Sequence, residues 1–256
     1  MLKKTSSFLP QDFFSPAIKA LKNGELIAFL TDTVPGLAVD AFNEKAVEAL
    51  YDLKGRDRLK KLVWMSDKWD KVSNHLSYDR RSYELSRQLW PGPVTIIWKA
   101  VWKPSERGTK MTKEAVNNPE KNPEKNAEKK LEKKLTDRAN LSLAGNEVEK
   151  QVEKQAVRIP KDDYLLNFFS HYPSPLAVTS ANESGKKEAK SLAEVKNIFG
   201  DQISFYLEHQ VENSGVPSAV IDVSEGELKI LREGEKKAMQ KVTEVAKKLG
   251  YKLNNG

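Results

Sequence analysis

The stretch Gly24–Leu62, GELIAFLTDTVPGLAVDAFNEKAVEALYDLKGRDRLKKL, restricts what this chain can fold into more than any other. Glu25–Leu30 is an apolar run of strand length without strict alternation, the pattern of a strand buried on both faces. It ends in three short polar side chains, Thr31, Asp32 and Thr33. Val34-Pro35-Gly36 then turns the chain, because proline fixes φ and glycine tolerates positive φ. Ala46, Leu50 and Leu53 follow at spacings of four and three, which predicts a helix from about Glu44 to Leu53. Lys54-Gly55-Arg56 closes it, with glycine as C-terminal cap and two cations at the negative end of the helix dipole. A buried strand delivering hydroxyls, a tight turn and a helix ending in a cation pair form an arrangement suited to an anion.

Strands and helices interleave along the rest of the chain. Phe13–Leu21 reads as a short helix with Pro16 in its first turn, Leu62–Met65 as a strand, and Tyr83–Trp90 as a helix stopped by Pro91-Gly92-Pro93. Val94–Trp102 carries the strongest β signal, rich in β-branched and aromatic residues. Ala156–Pro160, Pro175–Thr179 and Ile203–Leu207 read as strands, and Tyr164–Phe169 and Ser191–Phe199 as helices. Ala219–Val223 and Glu227–Arg232 form a hairpin across Ser224-Glu225-Gly226, and Lys236–Leu249 is an amphipathic helix. The expected fold is α/β: one domain over residues 1–256 with a twisted mixed sheet and surrounding helices.

Residues 103–155 break this rhythm. They contain NPEKNPEKNAEKKLEKKL, a four-residue repeat with almost nothing to bury, and are read as a disordered or solvated Lys/Glu-rich loop insertion. The charge distribution agrees. Of the formal +7, the insertion supplies +3 and the basic C-terminal tail 235–256 supplies +4, which leaves the remaining body neutral. Basic excess in peripheral segments leaves room for a tRNA or RNA contact. The absence of cysteine excludes disulfides, thiolate metal sites and a thiol nucleophile, and three scattered histidines argue against a histidine metal centre. No run approaches a membrane span and no leader is apparent, so the expectation is a soluble, cytoplasmic protein with no membrane partner.

Four strand-to-loop junctions end alike: Thr31-Asp32-Thr33, Arg158 before Ile159-Pro160, Thr179-Ser180-Ala181-Asn182, and Pro217-Ser218. Each alone is an ordinary turn or cap. Ligands of open α/β sheets bind outside strand ends, so the four are expected to converge on one site. Neither a G-x-x-x-x-G-K-[ST] loop nor a G-x-G-x-x-G turn is present.

TDTVPGL, KGR, WPGPVT, VRIP, TSANESG, PSAVID and ILREG stand in the order and spacing of the YrdC-like family of L-threonylcarbamoyladenylate synthases, which the chain resembles over Gly24–Trp102 and Ala156–Gly234. The resemblance implies a large basic-lined central cavity. It also implies a reaction in which L-threonine, bicarbonate and ATP give threonylcarbamoyl-AMP and pyrophosphate, upstream of a tRNA threonylcarbamoyl transferase machinery. Carried over by motif, Thr33, Arg158 and Thr179 would hold threonine. Lys54 and Arg56 would act on the phosphates or the carboxylated intermediate as the catalytic cations. Thr95, Ser180, Asn182, Ser218 and Arg232 would complete the ATP site. Mg²⁺ is expected with the nucleotide, held mainly by phosphates and waters, with no protein metal site. The alternative is an RNA-binding relative of the YciO type that keeps the fold without efficient synthesis. Leu30 and Pro35 replace the family's usual Pro and Tyr, Asp57 a usual Pro, and Lys60 an Asn or His. With 22 residues after Gly234, the expected relative is the short, single-domain form.

Overall fold

A computed structural model describes residues 11–101 and 153–255, all of which fall within one compact unit. Apart from Glu153–Gln155, the Lys/Glu-rich insertion lies outside the described residues. The described elements are α1 (Gln11–Lys22), β1 (Ile27–Phe29), β2 (Gly36–Asp40), α2 (Glu44–Lys54), β3 (Val63–Met65), α3 (Asp70–Ser73), β4 (Leu76–Ser77), α4 (Arg80–Leu89) and β5 (Val94–Ala100). They continue with β6 (Lys154–Arg158), α5 (Asp163–Ser170), β7 (Leu176–Ser180), α6 (Leu192–Phe199), β8 (Phe205–Leu207), β9 (Ala219–Asp222), β10 (Leu228–Arg232), α7 (Lys236–Lys248) and β11 (Leu253–Asn255). The strands join in one mixed sheet in the order β11-β10-β9-β5-β6-β3-β7-β2-β1-β8, with β4 on the side of β5. This is the α/β fold that the sequence predicts.

α3, β4 and β11 were not read from the sequence, and three further features differ from that reading. Gly36–Asp40 is a strand, buried between β1 and β7, where only a turn before α2 was expected. Its Leu37-Ala38-Val39 core is too short to stand out beside the Pro-Gly turn. Pro16 lies inside α1, which begins at Gln11, and not in its first turn. β6 begins at Lys154, inside the segment read as insertion: Lys99 pairs with Lys154 and Trp98 with Gln155, antiparallel.

The helices sort the core by the period of the strands. Ile27, Phe29, Ala38, Met65, Leu176 and Val178 face α1 and α5, packing on Phe14, Leu21, Leu165 and Phe168. Ala28, Leu37, Val39, Trp64, Val157 and Ala177 lie in a second cluster with Leu50 of α2 and Leu85 of α4. α2 is capped at both ends: Gly55 takes the left-handed conformation at φ 59°, as its sequence predicts, and the Asn43 side chain accepts from the Ala46 amide, a cap the sequence reading did not name. Fully buried Leu50 alone contributes about 1.5–3 kcal/mol of apolar burial.

Registers decide where the functional residues meet. β3 and β6 run in parallel, so Arg158 sits beside Met65 at one end of the sheet, and Thr95 and Ala219 enter the same end from β5 and β9. β7 is antiparallel to β3, so Ser180, paired with Gly36, leaves at the opposite end, as does the end of β1.

Candidate anion-binding site

A cavity of about 110 Å³, partly open to solvent, lies over the sheet face, with Val63, Met65 and Val178 among its lining. The four junctions do converge, but across this face and from both ends of the strands, whereas a site outside the strand ends was expected. Thr33, Arg56, Thr95, Arg158, Thr179, Ser180, Ser218 and Arg232 all line it. Lys54 and Asn182 are not among its lining residues; they stand behind it and hold each other.

The Thr31–Gly36 turn bridges the two ends. Thr31 Oγ1 donates to Val34 O at 2.8 Å and accepts from the Thr33 amide at 3.0 Å, which sets the tight turn the sequence predicts. Its two hydroxyl-bearing threonines are buried and lie 2.9 Å apart. Pro35 O accepts from the Ala181 amide at 2.8 Å, fastening the turn to the end of β7.

Arg158, only 2% exposed, closes the other side. It donates from Nη1 to Thr33 Oγ1 at 2.7 Å, from Nη2 to Asp32 Oδ1 at 2.5 Å and from Nε to Gly92 O at 3.2 Å. Burial lowers its pKa and the Asp32 carboxylate opposes that shift; a guanidinium stays charged under both influences. Gly92 of the PGP turn is required here, because a Cβ would lie 2.4 Å from Leu89 O.

Arg56 turns back onto its own loop, donating to the carbonyls of Lys60 at 2.9 Å and Lys61 at 3.2 Å. The Lys60 and Lys61 side chains are exposed and outside the cavity lining, so these positions contribute backbone oxygens. Arg232 donates from Nε to Ser218 O at 3.0 Å, and Ser218 Oγ lies 2.8 Å from Thr95 Oγ1. The ILREG glycine has a steric cause: a Cβ on Gly234 would meet Ala219 N at 2.5 Å. Burial lowers the pKa of Arg232, Glu188 opposes this, and Arg158 and Arg56 add to it, as expected for like charges facing one space.

Lys54 is the residue whose placement departs most from a free phosphate-binding cation. Its Nζ donates to Ser180 O at 2.5 Å, Asn182 Oδ1 at 2.7 Å, Asn182 O at 3.0 Å and Ser180 Oγ at 3.2 Å. Four oxygens saturate an ammonium with three protons. Burial, and then the charge of Arg56, lower its pKa to about 8, while Glu188 acts in the opposite sense.

Thr31 and Asp32, named in the sequence reading only as part of a junction, and Glu188, not named at all, carry roles that the motifs do not assign. Asp32 stood within a quoted motif, and its role needed the Arg158 contact to become visible. Glu188 is in no motif and gave no signal. Among the described residues no cluster of three or more His, Asp or Glu could hold a metal ion. None of their helices is long and apolar enough to cross a membrane. The arrangement therefore gathers arginine side chains and paired hydroxyls around one cavity, donors of the kind an anion needs.

The model of the Sua5/YciO/YrdC family, described as "Telomere recombination", matches residues 19–136 and 107–234. A Vibrio vulnificus protein named threonylcarbamoyl-AMP synthase is 27% identical over 220 residues, covering 85% of this chain and 96% of its own. A Pyrococcus abyssi protein of the same name is 25% identical over 215 residues, covering 84% of this chain and 52% of its own. Among solved structures, P. abyssi Sua5 complexed with L-threonine superposes with a TM-score of 0.67 at 22% identity, covering 96% of this chain and 60% of that one. Escherichia coli YciO superposes with a TM-score of 0.63 at 16% identity, covering 88% and 90%. The chain thus spans about three-fifths of the archaeal Sua5 structure and nine-tenths of YciO.

Proposed function

The chain belongs to the Sua5/YciO/YrdC family, and we propose that it joins L-threonine, bicarbonate and ATP into threonylcarbamoyl-AMP with release of pyrophosphate. The observation that carries this reading is the meeting of Arg56, Arg158 and Arg232 with the hydroxyls of Thr33, Thr95, Ser180 and Ser218 around one cavity. All three substrates are anions or carry a carboxylate, so a site that gathers them needs fixed cationic donors.

In this mechanism Arg158, held by Asp32 and Thr33, orients the threonine carboxylate, and Thr33 and Thr179 line the same cavity. The threonine amine attacks the carbon of bicarbonate, water is lost, and a carbamate results. A carbamate oxygen then attacks the α-phosphorus of ATP, and the bond to the β-phosphate oxygen breaks to release pyrophosphate. Arg56 and Arg232 stabilise the charge gathering on the phosphates, with Ser180, Ser218 and Thr95 as hydroxyl partners. Lys54 and Asn182 fix the loop that carries Ser180. A magnesium ion would arrive with the nucleotide, held by its phosphates and water. No histidine or cysteine is required, because orientation and charge stabilisation carry the rate. The product would pass to a tRNA-modifying transferase.

The saturation of Lys54 favours a second reading, an RNA-binding relative of the YciO type in which the loop lock is structural. Purified protein incubated with ATP, Mg²⁺, labelled threonine and bicarbonate separates the two. Pyrophosphate release that requires both threonine and bicarbonate supports the synthase. Absence of the adenylate, with tight binding to structured RNA, overturns it.

A further inference from the structure

The cavity holds a carboxylate that none of the seven motifs supplies. Glu188 lines it together with Arg56 and Arg232. Its position follows from the fold of its loop. Asn182 Nδ2 donates to Lys186 O at 2.6 Å just before it, Ala189 is buried in the core just after it, and Ser191 caps α6. Its negative charge acts on both Lys54 and Arg232, yet among the described residues it forms no ion pair.

The charge balance gives this carboxylate a consequence. Arg56, Arg158, Arg232 and Lys54, set against Glu188 and the Asp32 that neutralises Arg158, leave the site with a formal +2. A free nucleoside triphosphate, at about −4, overfills that balance and brings its phosphates against a carboxylate, whereas its complex with one divalent cation, at about −2, matches it. Resting on the nucleotide reading above, we propose that Glu188 sets which polyanion the cavity accepts, selecting the metal-complexed nucleoside triphosphate against free triphosphate and pyrophosphate. A carboxylate oxygen is also a donor type that a phosphate-bound magnesium accepts, so one residue opposes the bare polyanion and tolerates the complex.

Isothermal titration of ATP with excess Mg²⁺, ATP with EDTA, and pyrophosphate with EDTA tests this without turnover. The wild-type protein should prefer Mg²⁺-complexed ATP. Glu188→Gln should narrow that preference about tenfold or more, mainly by tightening free ATP and pyrophosphate, the scale of a like charge roughly 10 Å away at an effective dielectric of about 20. Glu183→Gln, an exposed carboxylate of the same loop, should leave the preference unchanged. An unchanged preference in Glu188→Gln, or equal narrowing in Glu183→Gln, overturns the proposal while the nucleotide site stands. A wild-type protein that binds neither ATP nor pyrophosphate overturns both.

Discussion

The guanidinium of Arg158 and the carboxylate of Asp32 form an ion pair with side chains 2% and 10% exposed, and they join strand ends that leave the sheet in opposite directions. Asp32 follows β1, Arg158 ends β6, and β3, β7 and β2 stand between those strands. Asp32 is itself held, accepting from the Lys161 amide at 3.2 Å through Oδ2 and from the Ser214 amide at 3.2 Å through its backbone carbonyl. Removing one partner of such a pair leaves a buried charge without compensation. Asp32→Ala should cost about 3–5 kcal/mol in urea denaturation. A loss under about 1 kcal/mol would mean that water reaches Arg158 freely.

Arg158 also carries the assignment of the threonine end. Arg158→Ala should raise the threonine requirement roughly tenfold or more, the scale of a lost charged hydrogen bond, and the ATP requirement much less. Substrate-dependence curves for both check this, and equal losses would remove Arg158 from the amino-acid carboxylate.

The Lys54 ammonium makes the site's charge depend on pH. Folding lowers its pKa from 10.5 to about 8, so the lysine is mainly cationic at pH 7 and mainly neutral at pH 9. Affinity for Mg²⁺-complexed ATP should therefore fall as pH rises through 8, and Lys54→Met should bind more weakly at pH 7 with a flatter profile. The same wild-type profile retained in Lys54→Met would place the titrating group elsewhere.

Gly234 tests how closely β9 and the chain after β10 must approach. An added Cβ would stand 2.5 Å from Ala219 N and 3.0 Å from its Cα, both backbone atoms that cannot swing away. Gly234→Ala should cost about 1–3 kcal/mol and weaken nucleotide binding by displacing Arg232 from Ser218. Unchanged thermal unfolding would show that the two segments part without cost.

The Lys/Glu-rich insertion leaves one strand and enters the strand beside it. Lys99 pairs with Lys154, and the Ala100 amide donates to Glu153 O at 2.7 Å, so both ends meet at one place. Excision of residues 109–149 should shift stability by only about 1 kcal/mol, because loop-closure entropy changes slowly with length. A large fall in melting temperature would show that the segment packs.

Much of the architecture was legible locally. The Gly55 cap, the stop at Pro91-Gly92-Pro93 and the hairpin turn at Gly226 are decided by residues next to each other in the chain, so α2, α4 and the β9–β10 pair could be read directly. The YrdC-like motifs were equally legible, and with them Arg56, Arg158, Ser180, Ser218 and Arg232. Gly36–Asp40 escaped because its strand character comes from having β1 and β7 on either side. Only tertiary structure decided that the cavity lies across the sheet face, since that follows from the antiparallel register of β3 and β7. It alone decided that Lys54 serves Ser180 and Asn182, and that Glu188 enters a space lined by arginines. The reason is physical: strand, turn and cap preferences act over a few residues, whereas a buried charge finds its partner through contacts between residues far apart in the chain.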